Sequence, residues 1–164
     1  MQKMLIVDSE KCTGCRFCEV TCSAKHERGS NPSKARIHIS KLEDDRILVP
    51  IVCNQCEEAP CMAICPTHAR SRDEQMGRVV VDYDRCIGCK ICMTVCPFGA
   101  ISFDWEARRI ISCNLCDGDP TCVKFCATQA LQYVDVTVAN RKRQKEAAVR
   151  LNESRREFIT SSMP

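Results

Sequence analysis

The sequence is poor in the residues that usually build a large hydrophobic core. Only 5% of its 164 residues are aromatic, and it has a single tryptophan. No apolar run approaches the roughly 20 residues that a membrane-spanning helix needs, and none at the start resembles the apolar region of a signal peptide. There is no glycine-rich phosphate loop and no pattern typical of a Ser–His–Asp triad. We therefore expect a cytoplasmic protein without a membrane span, in which something besides apolar burial stabilises the fold.

Cysteine, in contrast, is abundant. The chain has 16 cysteines, which leaves three explanations: a disulfide framework, zinc sites or iron–sulfur clusters. Disulfide-dense chains are typical of secreted proteins, and the sequence gives no sign of secretion. Zinc and iron–sulfur clusters both bind thiolates, and either would add the stability that a thin core lacks. The spacing of the cysteines is what separates the two.

The cysteines fall into four groups of four, and the groups repeat in pairs. In chain order the groups are Cys12, Cys15, Cys18 and Cys22; Cys53, Cys56, Cys61 and Cys65; Cys86, Cys89, Cys92 and Cys96; and Cys113, Cys116, Cys122 and Cys126. The first and third groups have the spacing C-x2-C-x2-C-x3-C, while the second and fourth have a wider middle gap. Residues 7–22 match residues 81–96, and residues 51–69 match residues 111–130 with one insertion. This order, A–B–A′–B′, predicts an internal duplication.

Three cysteines at two-residue spacing place three thiolates on one tight loop. A zinc site typically uses two cysteine pairs separated by a dozen or more residues, whereas such a loop suits three corners of a [4Fe–4S] cubane. In the bacterial run C-x2-C-x2-C-x3-C-P the fourth cysteine binds the other cluster, and Pro97 follows Cys96 in this way. Gly14 and Gly88 stand where the loop must turn around the inorganic core. The pattern predicts four [4Fe–4S] clusters, with zinc or disulfides as the alternatives.

Four thiolates for each cluster leave no iron with an open position for a substrate. A closed cluster takes up and releases one electron, so the pattern predicts a non-catalytic electron-transfer protein rather than an enzyme. The alternative from a different class is an iron–sulfur redox or oxygen sensor, but no effector domain accompanies the cysteines. A zinc-bound nucleic-acid module would need a broader basic surface than this chain offers.

The cysteine segments resemble those of a known family, the four-cluster ferredoxin-like electron-transfer subunits of molybdenum and tungsten oxidoreductases and of some hydrogenase and CO dehydrogenase systems. The resemblance covers residues 1–138. It is carried by CTGCRFCEVTCSAKHERGSNPSKARI, CNQCEEAPCMAICP, CIGCKICMTVCPFGAI and CNLCDGDPTCVKFCATQAL. The short chain and its NPSKARI loop look most like the iron–sulfur subunits of tungsten aldehyde oxidoreductases. The chain departs from the bacterial motif at Ser23 and Ala127, where that motif has proline.

The resemblance implies an α+β fold of two ferredoxin-like dicluster modules, with the inner module inserted in the outer one. The outer module would comprise residues 1–40 and 108–138, and the inner module residues 46–105. The resemblance also implies the ligands of each cluster. These are Cys12, Cys15, Cys18 and Cys126 for cluster 1; Cys22, Cys113, Cys116 and Cys122 for cluster 2; Cys53, Cys56, Cys61 and Cys96 for cluster 3; and Cys65, Cys86, Cys89 and Cys92 for cluster 4.

The resemblance further implies that the chain relays single electrons between a catalytic oxidoreductase subunit and a redox partner. The catalytic partner would be a molybdenum or tungsten oxidoreductase, with a tungsten aldehyde oxidoreductase as the nearest fit. A flavin-containing subunit linked to NAD(P) or to ferredoxin is a candidate redox partner. A hydrogenase, formate dehydrogenase or CO dehydrogenase stays open as the alternative catalytic partner.

The C-terminal residues 139–164 differ from the rest because they carry seven Lys or Arg against three Glu. Residues 139–159 contain no proline or glycine and are rich in helix formers. We expect a basic helix that docks onto another subunit or onto another copy of this chain, in which case a ring or a filament would form. A disordered tail and a nucleic-acid patch are the alternatives, and the scarcity of aromatics disfavours nucleic acid.

Short β-rich segments lie between the cysteine groups and predict strands. They are MLIV (4–7), ARIHI (35–39), RILVPIV (46–52), RVVVDY (78–83), AISF (100–103), RRIIS (108–112) and ALQYVDV (130–136). We expect a short helix just before the fourth cysteine of a group, a polar loop over residues 67–78, and Trp105 in the core.

Overall fold

Short strands and short helices alternate along the chain and form an α+β fold, as the sequence predicts. The structure, a computed structural model, describes residues 2–42, 47–141 and 144. The strands are β1 (Lys3–Val7), β2 (Ile37–Leu42), β3 (Ile47–Val52), β4 (Arg70–Asp73), β5 (Arg78–Val81), β6 (Ile101–Asp104), β7 (Arg109–Ser112) and β8 (Leu131–Asp135). The helices are α1 (Phe17–Glu27), α2 (Pro60–Ala63), α3 (Ile91–Thr94) and α4 (Thr121–Lys124). Within these described ranges, none of the helices has the length and apolar character needed to cross a bilayer.

The strands pair as four separate antiparallel two-stranded sheets. Their orders are β1–β8, β2–β3, β4–β5 and β6–β7. The pairing of β1 with β8 aligns Val7 with Leu131 and so joins the first strand of the chain to the last. As a result, the second and third cysteine groups lie on chain that leaves this outer strand pair and returns to it.

The buried side chains form two cores, and cysteines belong to both. The outer core contains Leu5, Ala35, Ile37, Val52, Leu115 and Leu131 together with Cys18, Cys22, Cys113 and Cys122. The inner core contains Ala59, Val79, Ile101 and Ile110 together with Cys61 and Cys92. Strand β3 contributes to the outer core and β7 to the inner one, while the module limits given above stay a prediction. A chain with few aromatics thus completes its cores with thiols.

Helix α1 differs from the other three because it continues past the fourth cysteine of its group. It ends at Glu27, whereas α2 and α3 end before their Cys–Pro pairs. The hydroxyl of Ser23, where proline stands in the related groups, donates to the carbonyl of Val20 at 2.9 Å and accepts the N–H of Asn31 at 3.1 Å. Serine therefore allows the helix to continue and holds the NPSKARI loop against it. A proline after the fourth cysteine is not required for a short helix, since α4 also ends before its fourth cysteine although Ala127 follows that cysteine.

One strand lies where the sequence predicts a loop, so the prediction for residues 67–78 was wrong in part. Strand β4 occupies Arg70–Asp73, a segment of two arginines, a serine and an aspartate. This composition lacks the β-branched residues that indicate a strand. Tertiary pairing forms it instead, because β5 lies beside it and the N–H of Gly77 closes the turn onto the carbonyl of Asp73 at 2.7 Å.

The prediction that Trp105 belongs to the core was also wrong. Its side chain is 74% exposed, in the turn between β6 and β7. The ring packs edge-on against Phe103, with centroids 4.9 Å apart, and the ammonium of Lys90 lies 3.6 Å from its centroid. The indole therefore covers a neighbouring ring and a cation on the surface.

The described part of the C-terminal segment begins as a helix directly after β8. Residues 136–141 are helical, so the strand predicted to end at 136 ends one residue earlier. Most of the basic helix predicted over residues 139–159 lies outside the described residues, and its docking role stays a prediction.

Candidate metal centres

All 16 cysteines lie within the described residues and are free thiols, which disfavours the disulfide alternative. We group them into the four predicted ligand sets, each of which takes thiols from two different cysteine groups. Set 1 is Cys12, Cys15, Cys18 and Cys126; set 2 is Cys22, Cys113, Cys116 and Cys122; set 3 is Cys53, Cys56, Cys61 and Cys96; and set 4 is Cys65, Cys86, Cys89 and Cys92. Sets 1 and 4 lie towards opposite ends of the series, and sets 2 and 3 lie between them.

Sets 1 and 4 each line a cavity, and the two cavities are alike. Each has a volume of about 20 Å³. Residues at equivalent repeat positions line both, such as Thr128 in one and Thr67 in the other, whose hydroxyls each lie 3.8 Å from the sulfur of the preceding cysteine of the set. The duplicated sequence therefore builds two sites of the same size and chemistry.

In sets 2 and 3, the thiols influence one another's pKa values. The pKa of Cys53 is raised to about 11, mainly by burial and to a smaller degree by the nearby thiols of Cys61, Cys56 and Cys96. Set 2 converges on Cys122 in the same manner. Burial is the main reason that its pKa is raised, and the thiols of Cys113, Cys22 and Cys116 add to the rise. Buried thiols with raised pKa values are poor free thiolates, and metal binding supplies the compensation that deprotonation needs.

The thiols of sets 1 and 4 surround a cavity. Across the described residues, no three Cys, His, Asp or Glu side chains are arranged to hold a single metal ion. A cubane carries its four irons at separate corners and takes one thiolate at each. Soft thiolates in sets of four are the donors that iron–sulfur clusters use. The donor atoms present therefore fit [4Fe–4S] clusters.

The loops that present the thiols share one backbone conformation. In the first C-x-x-C turn of each group the residue before the second cysteine has a positive φ: Gly14 (67°), Gln55 (51°), Gly88 (66°) and Leu115 (56°). Glycine adopts this conformation freely, but glutamine and leucine do not. The sequence indicated the two glycines and missed the other two, although the equal C-x-x-C spacing of the four groups was a signal for them.

Backbone N–H groups point at the sulfurs in these loops. The N–H of Leu115 donates to the sulfur of Cys113 at 3.4 Å, and the N–H of Arg36 donates to that of Cys22 at 3.2 Å. At Cys65, burial favours the neutral thiol, but hydrogen bonds from Thr67 and from neighbouring backbone N–H groups leave the pKa below its ordinary value. Such donors stabilise negative charge on sulfur.

Gln55 joins the two cores where sets 2 and 3 approach one another. Its amide nitrogen donates to the carbonyl of Cys113 at 2.8 Å, and its amide oxygen accepts the N–H of Val79 at 2.7 Å. Sequence reasoning did not single out this residue. Its position inside a C-x-x-C turn places the side chain between the halves of the molecule.

Two of the three histidines, His26 and His68, follow cysteine groups along the chain. The ring of His26 lies 3.4 Å from the sulfur of Cys116, and burial lowers the pKa of His26 to about 4. His68 is exposed. His38 lies 3.1 Å from the hydroxyl of Ser102.

Comparison with known families agrees with this geometry. The "4Fe-4S dicluster domain" family matches residues 45–136, and the "4Fe-4S binding domain" family matches residues 9–25. The chain belongs to the 4Fe-4S dicluster domain family. Of the predictions above, this establishes [4Fe–4S]-binding domains and leaves the number of clusters and their ligands as predictions.

Similar proteins of this family come from bacteria and archaea. YsaA of Escherichia coli (strain K12) is 38% identical over 159 residues, which cover 91% of this chain and 100% of YsaA. The polyferredoxin-like subunit of an aliphatic sulfonate oxidoreductase of Pyrococcus furiosus is 41% identical over 136 residues, covering 83% of this chain and 78% of that subunit. A chain of the active-site complex BamBC of benzoyl coenzyme A reductase is similar in structure, with a TM-score of 0.49 and 28% identity over 80% of this chain and 75% of that one.

Proposed function

We propose that this chain is a non-catalytic electron-transfer subunit, which carries single electrons through four [4Fe–4S] clusters between a catalytic oxidoreductase subunit and a redox partner. Sets 1 to 4 hold clusters 1 to 4, with the cysteines of each set as ligands. The observation that carries this proposal is that thiols of different cysteine groups lie together, as they do in the cavities of sets 1 and 4. When bound, a [4Fe–4S] cluster supplies a one-electron redox couple.

Thiols of neighbouring sets influence one another's pKa values. Cys18 of set 1 influences the pKa of Cys122 in set 2, where burial is the larger cause. Likewise, Cys53 of set 3 influences Cys113 of set 2, whose pKa burial raises to about 12. Cys61 of set 3 influences Cys92 of set 4, and burial again is the main cause of the raised pKa of Cys92. These influences support the order 1–2–3–4.

Burial of the thiols differs from set to set. All four thiols of set 2 are buried, and in set 3 Cys61 is buried while the other three are partly buried. Cys15 of set 1 and Cys89 of set 4 are exposed, so each end of the series reaches the surface. Exposed thiols in the two end sets support access by two partners.

Large apolar side chains surround both exposed ends. Phe17 and Phe125 are about half exposed beside set 1 and contact each other edge-on with centroids 5.9 Å apart. Ile87 and Ile91 are exposed beside set 4, and Ile87 is 69% exposed. Exposed apolar groups at two separate places fit two docking partners.

The catalytic partner is proposed to be a molybdenum or tungsten oxidoreductase, with tungsten aldehyde oxidoreductase as the nearest fit. The family resemblance of the NPSKARI loop supports this, as does a relative named as the subunit of an oxidoreductase. A flavin-containing subunit linked to NAD(P) or ferredoxin would take the other end. The cytoplasm is the proposed compartment because it keeps so many thiols reduced until metal binds.

Purification of the native complex under anaerobic conditions, through a tag on this chain, tests the assignment of the partner. Metal analysis of the retained subunits is expected to show iron in this chain and tungsten or molybdenum in a large companion. Nickel in the companion would transfer the assignment to a hydrogenase or CO dehydrogenase. A companion without any of these metals would contradict the proposed partner.

A further inference from the structure

Arg70 is a charged residue at a position that the internal repeat otherwise fills with apolar side chains. It is the first residue of β4 and follows the sequence Cys-x-x-x-Ala. Ile101 begins β6 and Leu131 begins β8 at the same distance from their cysteines. All three side chains are buried, with exposed fractions of 5% for Arg70, 6% for Ile101 and 3% for Leu131. Since the fold accepts isoleucine or leucine here, the arginine is not needed for packing.

The guanidinium of Arg70 lies between sets 3 and 4. Its Nη1 donates to the sulfur of Cys61 in set 3 at 3.7 Å, and its side chain also lines the cavity of set 4. It counteracts the effect of burial on the pKa of Cys61 and on that of Cys92 in set 4. The backbone N–H of the same residue acts on Cys65 of set 4. One residue therefore reaches the thiols of two neighbouring sets.

Among the described residues, no carboxylate pairs with Arg70. Its Nη2 is buried and makes no hydrogen bond, and none of the ion pairs formed by the described side chains includes Arg70. A buried arginine without a counter-ion is strongly unfavourable. The negative groups within its reach are the thiolates of sets 3 and 4, together with the clusters that the proposed function places on them.

We propose that Arg70 is a positioning charge shared by the clusters of sets 3 and 4, which raises the reduction potentials of both. The proposal rests on the proposed function. Each added electron makes a cluster more negative, and a fixed positive charge close to its sulfurs stabilises the reduced form. Electrons entering the relay would therefore rest on sets 3 and 4, at one end of the series. Arg36, whose backbone N–H contacts Cys22 and whose Nε is buried without a partner, stands beside set 2 alone.

The test is an anaerobic redox titration of the full chain, followed by electron paramagnetic resonance, in wild type and Arg70→Leu. Leucine is the residue that the repeat itself places at the equivalent position. We expect two of the four reduction potentials to fall. For each, the equilibrium constant for reduction should fall at least tenfold, which corresponds to about 59 mV for one electron. Arg70→Lys keeps the charge, so its two potentials should fall by less than tenfold.

Arg78→Leu is the matched control. It removes the same charge from the neighbouring strand of the same sheet, where the guanidinium is paired with Asp73 at 2.9 Å and with Asp117. Its guanidinium also donates to the carbonyl of Asn114 beside set 2 at 2.8 Å, so we expect at most one of its four potentials to differ from wild type. Equal shifts in Arg70→Leu and Arg78→Leu would overturn the proposal, because net charge alone would then explain them.

Iron content separates this proposal from the one on which it rests. If the wild-type chain contains no iron, the proposed function itself is contradicted. Full iron in Arg70→Leu with unchanged potentials overturns only the role of Arg70. If the leucine variant fails to assemble, the potentials of Arg70→Lys decide. A tenfold or larger fall in the equilibrium constant for reduction in a fully loaded lysine variant overturns the charge argument. Potentials near those of wild type support it.

Discussion

Replacing Gly88 with alanine should destabilise the protein more than the same change at Gly14, although the two glycines are equivalent in the repeat. Both have φ near +67°, at +66° and +67° respectively. Forcing alanine into this conformation costs about 1–2 kcal/mol. A Cβ at Gly88 would also lie 2.8 Å from the backbone carbonyl of Arg108, which cannot move without shifting β7. Overpacking of this kind costs roughly a further 1–3 kcal/mol.

At Gly14 the nearest atom to the new Cβ is Cδ1 of Leu48, at 2.7 Å. That atom is the end of a flexible side chain, so it can rotate away and only the conformational cost remains. We therefore expect losses of about 2–5 kcal/mol for Gly88→Ala and about 1–2 kcal/mol for Gly14→Ala. The measurement is the midpoint of anaerobic guanidinium unfolding, followed by circular dichroism at matched iron content. Equal losses, or a larger loss at Gly14, would refute the reasoning from backbone contact.

Three further outcomes follow from the packing. Gln55→Ala leaves the carbonyl of Cys113 and the N–H of Val79 without their partner between the cores. The free energy of unfolding, measured by guanidinium unfolding, should fall by about 1–3 kcal/mol for each buried group, and an unchanged value would contradict the bridge. Backbone N–H groups of the following turn hold the pKa of Asp104 below its ordinary value. The ionised carboxylate of Asp104 therefore stabilises the fold above about pH 4, and this contribution is lost as the pH falls through the lowered pKa. Asp104→Asn should therefore flatten the loss of stability in acid titration, and an unchanged slope would argue against it. Trp105→Ala should change stability by no more than about 0.5 kcal/mol, because the ring is exposed; a loss typical of core residues would restore the core assignment.

The cysteine pattern made most of the site predictable. Ligand spacing is dictated by the size of the inorganic group, and two copies of the pattern in one chain report the duplication directly. The structure brings together the thiols of Cys65 and Cys86, which lie in different groups, and no spacing rule would join them without the resemblance to a family. The pairing of these two groups therefore came from the resemblance and not from the spacing of the cysteines.

The parts that escaped prediction depend on tertiary contacts. Strand β4 has no intrinsic strand signal and exists because β5 lies beside it. Leu115 adopts a left-handed conformation that its own chemistry disfavours, and burial at 1% exposure in the outer core compensates for that cost. Trp105 was assigned to the core by residue type alone, but it lies in a turn where a cation and a ring cover it. Arg70 lay inside the supposed loop, so its place between two sets was not visible from the sequence.

The most direct test of the account is the iron and acid-labile sulfide content of the full chain, purified without oxygen. Four sets of four thiols predict about sixteen irons and about sixteen sulfides per chain, four of each for every cluster. About eight irons would mean that only two sets are loaded and would contradict the four-membered relay. Zinc in place of iron, with no sulfide, would contradict the cluster assignment and the electron-transfer function that depends on it.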